Sequence, residues 1–222
     1  MDILETMKKR HSVRQYTGAP IPEEIRKKLD AYVSDINEKS GLNVQIIYDE
    51  PVCFGSGMAH YGKFEGANDY ISLVGKKSAG LDEKCGYYGE LIVLKAQELG
   101  LNTCWAALTH GKSEATVGKG EKEVIVISLG YGKHHGFVRK SKSPQEVSNV
   151  TKDSPEWFKR GVEYALLAPT AINQQKFRIT LSDGGRVSIR SGAVGPCLKI
   201  DLGIVKCHFE LGAGKDNFEW EE

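Results

Sequence analysis

The sequence predicts an α+β protein, and three observations lead there. Segments with apolar residues at helical spacing carry proper start and stop signals. Short apolar runs such as Tyr70–Val74 and Val124–Leu129 have the length and composition of buried strands. The order helix, strand, strand, helix also occurs twice along the chain, which suggests an internal duplication.

Taken in order, Asp2–Arg10 reads as a short helix with Ile3, Leu4 and Met7 on one side. Arg10–Tyr16 follows as an extended segment, in which Arg10, Ser12 and Arg14 face one way and His11 and Val13 the other. Thr17–Pro20 is a turn. Pro22, Glu23 and Glu24 suit the first turn of a helix, whose free N–H groups and dipole favour proline and acids. That helix runs to Lys39, buries Ile25, Leu29, Val33 and Ile36, and stops at Gly41. Val44–Tyr48 is a strand, residues 50–69 a loop rich in glycine and aromatics, and Tyr70–Val74 a central strand. Cys85–Leu99 is a long helix capped by Gly100. Thr103–Leu108 is an apolar loop or strand start, and Val124–Leu129 is a strand that ends at Gly130-Tyr131-Gly132. Residues 133–155 read as a connection outside the core. A helix over Trp157–Ala168 ends before Pro169. Strands Phe177–Leu181 and Arg186–Arg190 flank the hairpin turn Asp183-Gly184-Gly185, and Ile200–Leu211 is the last helix. Two halves are drawn at 1–150 and 151–222, forming one compact unit together.

Composition narrows the functional classes. Among 222 residues, 30 Lys and Arg stand against 29 Asp and Glu, so no global field attracts nucleic acid or an anionic membrane. Any basic character that matters is local, which favours a small anionic ligand. No apolar stretch approaches the roughly 20 residues that span a bilayer. Met1–Glu5 carries acids where a secretory leader needs a basic region, so a cytoplasmic protein is expected. The five cysteines are odd in number and include no Cys-x-x-Cys pair, which argues against a disulfide framework and a structural zinc. The histidines lack metal-ligand spacing, and no metal is expected.

Three stretches carry candidate chemistry. Arg10-His11-Ser12-Val13-Arg14 gathers guanidinium forks and a hydroxyl, the donors that a phosphate takes in charge-assisted hydrogen bonds; a solvated surface run is the alternative. Ala168–Phe177 joins a helix end to a strand start and carries the amides of Asn173, Gln174 and Gln175. Amides donate and accept, so this loop suits the edge of a planar heterocycle, or simply terminates a helix. Gly130–Lys140 leads from a glycine turn into a run of cations, either an exposed linker or added charge around a phosphate. There is no P-loop, no Gly-x-Ser-x-Gly elbow and no cysteine with a catalytic partner, which points to chemistry borne by an organic cofactor.

Together these stretches resemble the FMN-dependent nitroreductase family. Arg10, His11, Ser12, Arg14 and Tyr16 are similar to its opening Arg-[Arg/His]-Ser-x-[Arg/Lys]-x-[Phe/Tyr] motif. Ala168, Pro169, Thr170, Asn173 and Gln175 resemble its Ala-Pro-Ser-x-x-Asn-x-Gln loop, with Lys176 and Phe177 replacing Pro-Trp. Gly130-Tyr131-Gly132 with Arg139-Lys140 looks like its closing glycine turn and basic pair, and Leu99-Gly100-Leu101 before Cys104-Trp105 is similar to its Gly-Leu-Gly segment. The order departs from the usual one, because the Pro-Thr-x-x-Asn loop stands in the last third. Family members are homodimers that build the flavin site from both subunits, so the departure resembles the divergent subgroup whose single duplicated chain mimics the dimer.

The resemblance implies a nitroreductase-like fold, a central mixed or antiparallel sheet flanked by helices, in a monomeric pseudo-dimer. It implies that Arg10, His11 and Ser12 hold the FMN phosphate with help from Arg139 or Lys140, while Arg14 stands at the N1/O2 edge of the ring. Pro169, Thr170, Asn173 and Gln175 would line the ring and ribityl chain, and backbone amides of Trp105, Ala106, Ala107 and Leu108 would pass near N5. NAD(P)H is then the electron donor, and a nitroaromatic, quinone or similar small molecule the acceptor. Phe54, Tyr61 and Phe64 are expected on a mobile loop over the substrate side. A non-catalytic flavin- or nucleotide-binding protein on the same fold is the alternative, and a colourless protein with only an anion site is a third reading.

Overall fold

The computed structural model describes residues 2–192 and 194–221. In chain order it contains α1 (Ile3–Lys9), α2 (Glu23–Ser40), β1 (Asn43–Ile47), α3 (Val52–Gly55), α4 (Gly57–Tyr61), β2 (Asp69–Lys76) and α5 (Leu81–Glu98). Then follow β3 (Asn102–Ala106), β4 (Glu121–Gly130), α6 (Pro144–Val147), α7 (Glu156–Ala165), β5 (Arg178–Ser182), β6 (Arg186–Arg190), α8 (Leu198–Ala213) and β7 (Glu219–Trp220). Helices flank mainly antiparallel sheets, in keeping with the α+β class. The described strands divide between two sheets, however, one ordered β1-β2-β4-β3 and one ordered β5-β6-β7.

The chain divides into two compact units that interleave in sequence rather than meeting at residue 150. One comprises Lys9–Leu81 and Leu91–Val138. The other comprises the chain up to Lys8, then Asp82–Glu90, then everything from Arg139 onward. The long helix α5 thus gives its first half to one unit and its second to the other.

In the unit built on Lys9–Leu81, the sheet is antiparallel throughout. β2 pairs on both sides, Ile46 opposite Ile71 and Ile71 opposite Ile127, and is buried from Asp69 to Gly75, which explains its almost unbroken apolar run. The β2–β4 register slips at Leu73 and Val74, which face Ile125 and Glu123 and leave Val124 as the extra residue of a bulge. α2 buries Leu29, Val33 and Ile36, while Ile25 stays partly exposed. It ends where Gly41 turns left-handed at φ +67° and its N–H reaches Asn37 O, a conformation with no steric cost for glycine. Residues 50–69 are not an open loop but contain α3 and α4. Phe54 and Phe64 are core residues, their rings 4.7 Å apart, packed with Tyr16, Tyr70 and Val126. Burying each phenyl ring contributes about 1.5–3 kcal/mol, which outweighs a mobile covering role for them. Of the three expected substrate-side residues, Tyr61 alone lies outside, 82% exposed.

In the unit containing the C-terminal chain, α7 packs on α8 and β5–β6 form the expected hairpin. Gly161 and Gly212 allow the helix contact, because a Cβ on either would lie 2.6 Å from Phe209 or from Tyr164. The polar connection after residue 138 is partly core: α6 carries a Ser143/Glu146 capping box, and Val147, Ser148 and Val150 are buried. β7 was not expected from so short a segment. It joins β6 in parallel while Phe218 and Trp220 close an aromatic cluster with Phe209.

Two glycines meet where α5 and α8 cross. A Cβ on Gly86 would overlap Ile200 O and lie 3.1 Å from Gly203 Cα; one on Gly203 would overlap Glu83 O and lie 2.7 Å from Tyr87 N. The contact is reciprocal, since each glycine touches the backbone about one turn before the other.

Candidate functional site

The Arg10–Tyr16 segment lies along the outer edge of β3. Ser12 bridges Thr103 in parallel, and Val13 N–H donates to Thr103 O at 3.0 Å. Further along, Tyr16 N–H donates to Glu65 O, Thr17 N–H to Tyr131 O, and Lys133 N–H to Gln15 O. Because the backbone changes partner every few residues, side chains do not alternate as a regular strand would have them. Arg10, Val13 and Tyr16 are buried at a spacing of three, and Arg14 is exposed.

Arg10, Ser12 and Arg14 each act on the buried thiol of Cys104 on β3. Burial pushes that thiol up; the charges of Arg14 and Arg10 and a hydrogen bond with Ser12 act against the shift. Arg10 is only 5% exposed, whereas Arg14 extends over the Phe64 ring, 5.9 Å from its centroid. Tyr16 Oη donates to Val13 O at 2.7 Å and accepts from Ser128 Oγ at 2.7 Å, while Ser128 Oγ also lies 3.3 Å from Cys104 O. Burial holds the phenol far above its ordinary range, so it remains a donor. His11 contacts Lys9 O through Nδ1, and a Cβ on Gly136 would lie 2.5 Å from His11 Cβ, so the segment after Gly132 lies against the motif. Trp105 and Ala106 end β3, and Ala107 and Leu108 form the bend beyond it, where Leu108 is exposed. Gly62 would meet Thr109 with any Cβ, which brings the end of α4 against the same bend.

The second set of expected residues assembles in the other unit. Arg139 Nη2 donates to Leu166 O (3.1 Å) and Ala168 O (2.7 Å), satisfying carbonyls left over at the end of α7. The carbonyl of Lys140 accepts from Asn173 Nδ2 at 2.8 Å and from Gln175 Nε2 at 3.2 Å. Gln175 Oε1 accepts from Lys142 N–H, Gln175 O from Lys142 Nζ, and Thr170 Oγ1 from Gln175 N–H. The amides of Asn173 and Gln175 thus bind the chain itself, and Pro169 is buried. Ile172, Asn173 and Gln175 all adopt left-handed φ, at 48°, 55° and 44°, which is unusual for isoleucine above all.

Sequence reasoning missed Asp201 and the part played by Gln174. Asp201 stands in the first turn of α8, is buried, and accepts from Ala171 N–H at 3.0 and 3.2 Å and from Gln174 Nε2 at 2.7 Å. Burial pushes its carboxyl up to about 6 against these two hydrogen bonds. A lone acid in an apolar helix pattern, as Asp201 is among Ile200, Leu202 and Ile204, was the available signal. His208 also has a partner that sequence spacing hid: its Nε2 lies 2.8 Å from Glu90 Oε1 and its Nδ1 3.1 Å from Tyr164 O, wholly buried. Among the described residues no group of three or more His, Cys, Asp or Glu is arranged to hold a metal, and no helix is long and apolar enough to cross a membrane.

A model of the family described as "Putative TM nitroreductase" matches residues 2–213. The chain belongs to this family. Membership supports an oxidoreductase. A solved structure described as a "putative nitroreductase" from Thermotoga maritima is 26% identical over 99% of this chain and 87% of that one, with a TM-score of 0.71. One from Desulfovibrio desulfuricans, described as a nitroreductase in complex with FMN, is 16% identical over 70% of this chain and 99% of that one, at a TM-score of 0.54. Another, described as a "Putative NADH dehydrogenase/NAD(P)H nitroreductase" from Parabacteroides distasonis, is 18% identical over 69% of this chain and 99% of that one, at a TM-score of 0.52. The last two likenesses are of fold. No curated protein compared with the chain matches it. Both stretches that resemble nitroreductase motifs, Arg10–Tyr16 and Ala168–Gln175, lie inside the matched span.

Proposed function

We propose that this nitroreductase-family chain is an FMN-dependent oxidoreductase that takes electrons from NAD(P)H and delivers them to a nitroaromatic, quinone or similar small acceptor. The observation that carries the reading is the Arg10–Tyr16 segment laid along β3, where Ser12 bridges Thr103 and Arg14 extends over the Phe64 ring. A guanidinium and a hydroxyl are donors that fit a phosphate, and the second guanidinium adds positive charge beside them. Arg10, His11 and Ser12 would hold the FMN phosphate, with Arg139 or Lys140 as further cationic support. Arg14 supplies positive charge toward the ring edge on which negative charge develops. Backbone amides from Trp105 to Leu108, together with Pro169, Thr170, Asn173 and Gln175, would line the flavin. Tyr61, which stands out on α4, is the substrate-side residue with a side chain available to an acceptor. When bound, FMN supplies hydride acceptance from NAD(P)H and delivery of the electron pair to the acceptor.

The alternative is a protein that binds flavin without turnover. It draws support from the amides of Asn173 and Gln175, which are bonded to Lys140 O. Visible absorbance of the purified protein with and without FMN, followed by NAD(P)H oxidation with menadione and a nitroaromatic, separates the two. Arg10→Ala should weaken FMN binding by one to two decades, because losing a charged hydrogen-bond partner costs about 1.5–3 kcal/mol. A loss of less than about threefold assigns the phosphate to other residues.

We also infer that the chain is internally duplicated and a monomer, one polypeptide supplying both sets of flavin-binding residues. The support is the recurrence of α2-β1-β2-α5 as α7-β5-β6-α8, apart from the short helices α3 and α4, and the reciprocal Gly86–Gly203 contact. Sedimentation with a flavin count tests it. One FMN per monomer is expected, and two equally occupied sites per chain would overturn it.

A further inference from the structure

We propose that Asp201 is a positioning residue for the 168–176 loop, its buried carboxylate holding the left-handed turn in the form that receives the flavin; the proposal rests on the FMN reading above. The loop does not hold its shape by local preference. Ile172 is β-branched and 88% exposed, so no core contact compensates its φ of 48°, and Asn173 and Gln175 are left-handed as well. Such a turn persists where its surroundings over-determine it.

Two sets of bonds do so. Toward residues 140–142, Asn173 and Gln175 are tied through Lys140 O and Lys142. Toward α8, Ala171 N–H and Gln174 Nε2 are tied to one carboxylate, Asp201. Ala171 and Gln174 bracket the two strained residues Ile172 and Asn173, so the carboxylate spans the base of the turn. Gln174 Nε2 also donates to Pro196 O at 2.9 Å, while its Oε1 is buried without a hydrogen bond. The local hydrogen bonding is thus incomplete at the amide that faces Asp201. A charged acceptor was retained there although burial disfavours its charge. Cys197, just before α8, is the neighbouring ionisable group; burial and the charges of Asp201 and Asp82 push its thiol up, so it stays neutral and offers the carboxylate no compensating charge. A carboxylate kept under such conditions answers to the loop's need for two acceptors.

The test compares Asp201→Ala with Asp201→Asn. Hydrogen exchange of the Ala171 amide is read without FMN, and FMN affinity by quenching of flavin fluorescence. Asp201→Ala should lose protection at Ala171 and weaken FMN binding by about tenfold. Asp201→Asn keeps one acceptor for Ala171 and offers an amide donor to Gln174 Oε1, so it should stay within about threefold of the original chain. A role confined to general stability would lower the melting temperature of both variants without this rescue, and that result overturns the proposal. So does unchanged Ala171 protection, or FMN affinity within about threefold in Asp201→Ala. If Asp201→Ala fails to fold, Gln174→Ala takes its place: it should weaken FMN by about threefold, and unaltered affinity overturns the proposal. A chain that binds no FMN in its original form overturns the flavin reading itself, and the proposal with it.

Discussion

The α5–α8 crossing makes the sharpest structural prediction, because Gly203→Ala is normally a favourable change inside a helix. Alanine improves helix propensity by about 1 kcal/mol over glycine. Here the added methyl would overlap Glu83 O and lie 2.7 Å from Tyr87 N, and both are backbone atoms that cannot rotate away. The two helices must separate by about an ångström, at an overpacking cost of about 1–3 kcal/mol together with looser packing along the seam. The net expectation is destabilisation by about 1–2 kcal/mol, or a fall in Tm of about 2–8 °C at this chain length. Gly86→Ala meets the same seam from the other side and should behave alike. Once one methyl has parted the helices the second has less to displace, so the double variant should lose clearly less than the sum. Gly57→Ala, whose Cβ would have nothing within 4 Å, is the control and should be neutral or slightly stabilising. Thermal unfolding followed by circular dichroism measures all four. A rise in Tm for Gly203→Ala, or strict additivity in the double variant, refutes the close reciprocal crossing.

Three further outcomes follow from buried groups. Glu90→Ala leaves the His208 ring without its carboxylate and should cost about 3–5 kcal/mol in denaturant unfolding; Glu90→Gln, whose amide can donate to Nε2, should cost far less, and equal losses would show that the pair matters only as volume. Asp201 binds its proton more tightly in the folded chain, its carboxyl being pushed up to about 6 from an ordinary value of about 3.9. Its contribution is therefore fully present below about pH 4 and is lost as pH rises through about 6, an effect of about 2–3 kcal/mol. The stability difference between the original chain and Asp201→Asn should change across that window, and a flat difference contradicts it. Phe54→Ala should destabilise by about 3–5 kcal/mol as a core truncation, whereas Tyr61→Ala should leave Tm within about a degree and alter the ratio of rates with menadione and a nitroaromatic. Unchanged acceptor ratios in Tyr61→Ala remove that residue from the substrate side.

What local sequence determines, it determined well here. Helix α2 begins at its proline and acids and ends at Gly41, and the β5–β6 hairpin turns at Asp183-Gly184-Gly185, because caps and turns depend on residues within a few positions of each other. Periodicity likewise identified β2 and β4 as buried strands. The Arg10–Arg14 motif is contiguous in sequence, and its seat beside β3 needs only the Ser12–Thr103 bridge.

Tertiary structure decided the rest, for reasons that act over distance. A glycine-rich aromatic stretch suits a lid or a core equally until packing is known, and in the fold Phe54 and Phe64 close on Tyr70 and Tyr16. The alternation expected of Arg10–Arg14 failed because its backbone bonds pass from Thr103 at Val13 to Glu65 at Arg14 rather than following one strand. β7 is two residues long and exists through its pairing with β6. Asp201 and the 171–174 turn are about 30 residues apart, and Glu90 and His208 are 118 apart; nothing in either segment names the other. Buried charges find partners through the fold that buries them, so these pairs are properties of the packed chain, whereas caps, turns and the phosphate-type motif are properties of the sequence.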